Sequence, residues 1–237
     1  DDTAAIQSAL DYLESVVVNG DNTWGVFDLL GLTYKITTAI IWSRGQIEIR
    51  NGLLKQYTEA EHVIEIDTGS PAYSKGYHLI EVDLVKVHAT ATSGNLLQIS
   101  SYISHLVWIG GQQLSSGGYY GVRQAAPMFM TTFNNVWIDG TYSSAFYMPA
   151  DGGTINPSSS TGGSTTLSFK SVFVTGVQTA VGAYDIGNGY DTVILDTCAA
   201  DNGHAFGRFR AQPCKILNCS AEGVINKLPL ASNDAHR

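Results

Sequence analysis

Two carboxylates near the far end of the chain carry the most pointed chemical suggestion in it. Thr197-Cys198-Ala199-Ala200-Asp201-Asn202-Gly203 and Asn218-Cys219-Ser220-Ala221-Glu222-Gly223 read as consecutive repeats, with Asp201 and Glu222 at the same place in each. Stacked as neighbouring strands, they would bring their carboxylates about 5 Å apart, the separation used by retaining glycoside hydrolases; a skip of one repeat gives about 9.6 Å, at the upper edge of the inverting range. Asp185, in Tyr184-Asp185-Ile186-Gly187-Asn188-Gly189, is the candidate for a more distant partner. One carboxyl would protonate a glycosidic oxygen while the other attacks or activates water. His204, Arg208 and Arg210 fall between the two repeats as candidate substrate-binding residues, the arginines suited to bidentate contact with an acidic sugar. The competing reading is structural. Acidic residues before glycine are ordinary turn formers, and so is a turn histidine.

Aromatic residues offer a second chemistry. In Val107-Trp108-Ile109-Gly110 and Val136-Trp137-Ile138-Asp139 the flanking apolar residues are expected to point inward, which turns Trp108 and Trp137 outward together with Phe173. An exposed aromatic stripe suits the apolar face of a sugar; a subunit contact or an inward aromatic stack would use the same residues. Tyr119, Tyr120, Tyr142 and Tyr147 lie beside a polar excursion near 149–166 and are further stacking candidates. A column Gly110, Asp139, Thr175, Asp196, Asn218 at strand-to-turn junctions is read as turn hydrogen bonding, with Asp139 or Asp196 as the catalytic variant of that reading. Lyase chemistry would need a base and a cation. Arg123, Lys170 and Lys215 are present, but no spacing singles them out.

The elements that must position these groups follow from periodicity. Ile6, Ala9, Leu10, Leu13 and Val17 recur at helical spacing, with Thr3 as N-cap. Beyond about Val18 the period becomes two. Short apolar rungs beginning at Ile47, Leu84, Val107, Val136, Val172, Val193 and Cys214 recur every 21 to 37 residues, about the range of solenoid coils with loops of variable length. Weaker strands at His62–Ile66, Asn95–Ile99 and Met128–Thr131 give each coil two or three strands. A strand this short is stable only when the next coil pairs its backbone and covers its apolar side. A β-sandwich is the rival, with Asn19-Gly20, Asn51-Gly52, Asp139-Gly140 and Asn202-Gly203 as possible hairpin turns.

The opening, Asp1-Asp2-Thr3-Ala4-Ala5-Ile6-Gln7-Ser8-Ala9-Leu10 followed by Gly25-Val26-Phe27-Asp28-Leu29, Tyr34-Lys35-Ile36-Thr37 and Gly45-Gln46-Ile47-Glu48-Ile49-Arg50, resembles the pectate-lyase-like family and, within it, bacteriophage tailspike depolymerases. The resemblance implies an all-β, right-handed single-stranded parallel β-helix with a short N-terminal capping α-helix. It would form one domain over 1–237, with the helix over 1–18, about seven coils over 19–237, and a fragment's ends. It further implies a homotrimeric protein of the virion tail, folded in the host cytoplasm and acting outside the cell. Such a protein binds and depolymerises a bacterial surface or capsular polysaccharide by hydrolysis, without cofactor or metal. The alternatives are a non-catalytic glycan-binding shaft segment and a polysaccharide lyase. The Asn-Thr-Asp, Asp-Asp and Arg-Ile-Lys elements of polygalacturonases are missing, as is the acidic calcium cluster of pectate lyases.

Composition agrees with a solenoid and excludes other classes. Charged residues make up 14%, and the net charge of −8 with no Lys/Arg run argues against nucleic-acid binding. No apolar run reaches 18 residues, so no membrane insertion is expected. Cys198, Cys214 and Cys219 are expected to be small buried apolar residues and not metal ligands.

Overall fold

The computed structural model describes residues 1–17, 23–69, 74–87, 93–115, 119–149, 164–177, 182–187, 190–203, 205–211, 213–223 and 230–231. His204 and most of the excursion expected near 149–166 lie outside them. The chain is mostly strand, with one helix, Thr3–Val16. No helix among the described residues is long and apolar enough to cross a membrane.

Every strand pairing among the described residues is parallel. The hairpin sandwich is thereby excluded for this part of the chain. Asn51-Gly52 shows why its signal misleads: it lies inside the strand Ile47–Gln56, where the register shifts in a bulge, and makes no turn between strands.

Two sheets share the strands. The small sheet has eight, in simple order: Ile40–Trp42, Ile64–Ile66, Leu97–Ile99, Val122–Gln124, Phe146–Met148, Tyr184–Ile186, Gly207–Phe209 and Leu230–Ala231. The large sheet has thirteen. Its first limb continues from the long strands Gly25–Ile36, Ile47–Gln56 and Ser74–Lys86 through Ile103–Ile109, Met128–Asn134, Thr166–Lys170, Thr192–Asp196 and Cys214–Leu217. The second limb is Gln112–Ser115, Trp137–Asp139, Phe173–Thr175, Ala199–Asp201 and Ser220–Glu222.

A two-residue bend joins the limbs. Asn135, Ser171, Thr197 and Asn218 all have φ between 52° and 56°, the left-handed region where short polar side chains are best tolerated. The next residue then turns inward: Val136, Val172 and Cys198 are each buried. This bend corrects the ladder expected from the sequence. The rungs at Val107, Val193 and Cys214 belong to the first limb, whereas those at Val136 and Val172 belong to the second. Met128–Asn134, expected as an intervening strand, is a full member of the first limb.

The core is lined by the small sheet and by both limbs of the large sheet, Ile138, Val174 and Ala200 of the second limb being buried in it. Trp108, Phe133, Phe169 and Leu195 align rung by rung on one side. Phe146 and Tyr184 do so on the other, their rings stacked at 5.5 Å. The two columns meet edge to face, Phe133 with Phe146 at 4.9 Å and Phe169 with Tyr184 at 5.3 Å. Offset and T-shaped aromatic pairs add to the burial of large apolar area.

The helix closes one end by side-chain mimicry of a strand. Gln7 donates Nε2 to Ile41 O at 2.8 Å and accepts the Ile41 N–H at 2.8 Å, meeting both main-chain groups of an edge residue. Asp2 takes the Lys35 N–H in the same manner at 2.8 Å. Unpaired strand edges invite association, and these contacts occupy this one. Asp2, not Thr3, is the N-cap; Thr3 instead donates to Asp1 and accepts the Thr37 N–H. Glu14, buried on the inner side, accepts the Ser43 and Arg44 amides; burial raises its pKa above the ordinary carboxylate value.

Candidate functional site

Seven of the eight small-sheet strands are triplets, and strand alternation turns their outer members to the core and their middle residue to the other face. Parallel register stacks those middle residues into one column: Ile41, Glu65, Gln98, Arg123, Tyr147, Asp185 and Arg208. Rungs repeat at about 4.8 Å, so neighbouring side chains are in reach of one another.

The N-terminal part is acidic. Glu65 accepts a hydrogen bond from Ser100 and lines a cavity of about 780 Å³ with Asp1, Gln7, Asp11 and Glu61 beside the helix. Next to it His62 accepts the Asn95 N–H at Nδ1, and burial lowers its pKa. Gln98, nearly fully buried although it faces outward, is held by the Asn95 amide at 2.8 Å.

The C-terminal part is basic and aromatic. Tyr147 stacks on Tyr120 at 4.6 Å with 15° between the rings, and Tyr119 meets Tyr120 edge on and Tyr142 face on. Burial, then Tyr119 and Tyr147, push the Tyr120 hydroxyl up to about 12, so it stays protonated and is a poor base at neutral pH. Asp185 takes Arg208 in a fork, Nε at 3.0 Å and Nη2 at 2.8 Å, and Arg210 Nη2 at 2.9 Å. Its side chain is only 3% exposed. The shared carboxylate holds Arg208 above its ordinary pKa.

The other expected site residues are placed as follows. Asp201 and Glu222 do align on adjacent rungs of the second limb, and Asp201 Oδ1 accepts the Glu222 N–H at 3.1 Å. Asp185 belongs to the other sheet, so the structure does not bring it to that pair. Its oxygens are taken by three guanidinium N–H groups, and the expected hold of Arg208 and Arg210 on an acidic sugar is spent largely on Asp185.

The Trp108–Trp137 stripe is corrected. Trp108 is fully buried in the first limb beside Phe133, while Trp137 is 36% exposed in the second limb beside Phe173 at 5.4 Å. Strand parity explains it. Trp108 pairs with Phe133, and the bend at Gly110-Gly111 resets the alternation before the next limb begins. Asp139 and Asp196 accept hydrogen bonds from the side chains of Thr175 and Asn218 on neighbouring rungs, side chain to side chain, whereas the turn reading expects bonds to turn backbone. Cys198 is buried, with its thiol pushed up to about 12; Cys214 and Cys219 are half-buried, and all three are free. No cluster of three or more metal-ligating side chains occurs among the described residues.

Glu65, Gln98 and the column itself were not legible as a site from the residues singled out in the sequence. The available signal was the repeated triplet: Ile64-Glu65-Ile66, Leu97-Gln98-Ile99, Phe146-Tyr147-Met148, Tyr184-Asp185-Ile186.

No family model, no curated protein and no solved structure matches the chain. Fold and site therefore define a class only, an all-β protein of stacked parallel strands whose small sheet carries a polar, tyrosine-flanked column on its outer face.

Proposed function

We propose that the chain is a right-handed parallel β-helix of the tailspike kind, which binds a bacterial surface polysaccharide along the outward column of its small sheet. The observation that carries this reading is the column's chemistry. The guanidinium groups of Arg123 and of Arg208, the latter held by buried Asp185, lie on either side of Tyr147, which stacks on Tyr120 within a four-tyrosine cluster. Sugars present polar edges and an apolar C–H face, and the half of the column from Arg123 to Arg208 offers a contact for each. The helical winding is supported by the chain's regular return to each sheet, every pass laid parallel on the one before. Assembly as a homotrimer in a virion tail is part of the same proposal. A stripe of Trp24, Tyr77, His105 and Met130 on the outside of the large sheet supports it, because three solenoids side by side would cover it.

The test is retention of purified bacterial polysaccharides by the native chain and by Tyr147→Ala. Loss of about tenfold or more in affinity is expected, with the melting temperature lowered by only about 2–4 °C for the lost Tyr120 stack; equal binding by both proteins would move the site elsewhere.

Depolymerisation is a second reading, favoured by the in-register pair Asp201 and Glu222. Their rung spacing of about 4.8 Å is close to the carboxylate separation of retaining hydrolases. New reducing ends, abolished in Glu222→Gln, would support it. Absorbance rising near 230 nm would instead mark a lyase.

A further inference from the structure

We infer that the saccharide bound by the small sheet is acidic and that Arg123 is the anchor for its carboxylate. This rests on the proposal that the outward column is the glycan-binding face, and adds the class of sugar and the residue that selects it.

The inference comes from the charges on the column. Arg208 and Arg210 share a single partner, Asp185, so this triad carries one net positive charge. Arg123, two rungs away across Tyr147, is half-buried and makes no hydrogen bond or ion pair among the described residues. The stretch from Arg123 to Arg208 thus holds two uncompensated positive charges in a chain whose net charge is −8. A half-buried guanidinium without a counter-ion is unfavourable, and a ligand that neutralises it gains accordingly. One further donor is unspent: Arg210 Nε is buried and unpartnered among the described residues.

The geometry points to a carboxylate. A guanidinium is planar and offers parallel N–H pairs, which fit a carboxylate bidentately. Tyr147 sits on the adjacent rung, so a pyranose ring whose carboxylate meets Arg123 would place its apolar face on that phenol. Tyr120 beneath it remains neutral, its hydroxyl pushed up to about 12, and adds no competing negative charge. Glu65 lies two rungs from Arg123 on the opposite side, with Gln98 between them, and Glu61 lies beside Glu65 in the cavity next to the helix. Their repulsion confines an anionic sugar to the half bearing Arg123, Tyr147 and Arg208.

The test uses purified bacterial capsular polysaccharides, some rich in uronic or other carboxylated sugars and some neutral. Each acidic polymer is also supplied after chemical reduction of its carboxylates to alcohols. Affinities are measured for the native chain, Arg123→Gln and Arg123→Lys, with melting temperatures as the folding control. The native chain is expected to bind an acidic polymer and to lose about 10- to 100-fold in affinity when the carboxylates are reduced, the range for one charged hydrogen-bonded contact. Arg123→Gln should bind the intact polymer that much more weakly and be indifferent to reduction. Arg123→Lys should fall between them. Reduced and intact polymers bound equally, binding confined to neutral polymers, or Arg123→Gln retaining the discrimination would each overturn the carboxylate anchor while leaving glycan binding standing. Binding of no polymer at all would overturn both.

Discussion

At the scale of single residues, direction decides role. Trp108 and Trp137 stand in near-identical local sequences, Val-Trp-Ile, yet one is interior and the other half-exposed. Trp108→Ala is expected to remove about 3–5 kcal/mol of stability, the usual range for an emptied aromatic core position. Trp137→Ala should cost about 1 kcal/mol. Urea midpoints compare the two, and equal losses would contradict the assigned parity. His78 is a second residue whose burial has consequences. It lies in the core against Trp42 at 4.7 Å, its ring nitrogens lack hydrogen-bond partners of normal geometry, and burial lowers its pKa to about 4. Above the unfolded value of 6.5 both states are neutral, and His78 contributes no pH dependence. Between 6.5 and about 4 the unfolded chain takes up a proton that the folded chain resists, so stability falls as pH falls. The loss should approach about 3 kcal/mol at pH 4, at about 1.4 kcal/mol per unit. Comparing the native chain with His78→Leu between pH 7 and 4 isolates this slope. Identical slopes would show that the folded protein accommodates the charge. Nothing in the sequence marked His78, because a histidine in an alternating strand reads as core or surface according to a parity that only the register reveals.

At the scale of elements, the repeated bend governs what was legible. The helix was readable from its spacing, and the alternating apolar residues announced strands. The assignment of rungs to limbs was not readable, since the strands that meet at the bends are only three to seven residues long and the chain passes from one limb to the next within a few residues. The bend's own signature is a polar residue followed by a small apolar one: Asn135-Val136, Ser171-Val172, Thr197-Cys198 and Asn218-Cys219. That dipeptide is common, so it gains meaning only by recurring. Asn135→Ala is expected to destabilise by about 1–2 kcal/mol, because alanine lacks both tolerance of positive φ and a polar side chain, while Asn135→Gly should stay within about 0.5 kcal/mol of the native chain. Thermal or urea unfolding reads the difference. A harmless Asn135→Ala would mean that the left-handed geometry is not what turns the strand.

At the scale of the whole molecule, function depends on register. Residues 20 to 40 positions apart become neighbours about 4.8 Å apart, and a column that is scattered in sequence becomes one surface. This is why Asp201 and Glu222, one short repeat apart, could be paired from the sequence, whereas Glu65, Gln98, Arg123, Tyr147 and Asp185 could not be assembled. Their intervals vary with the loops between them. It is also why Asp185 reads differently in three dimensions. In sequence it was a third carboxylate, but in the fold it clamps two arginines on another sheet. The most direct measurement is a crystal structure of the chain with an oligosaccharide cut from a polysaccharide it retains. The sugar rings are expected along the small sheet, stacked at Tyr147 and within hydrogen-bonding distance of Arg123 or Arg208. Density for the sugar against Trp24, Tyr77 and His105 on the large sheet, with the small-sheet column empty, would contradict the assignment.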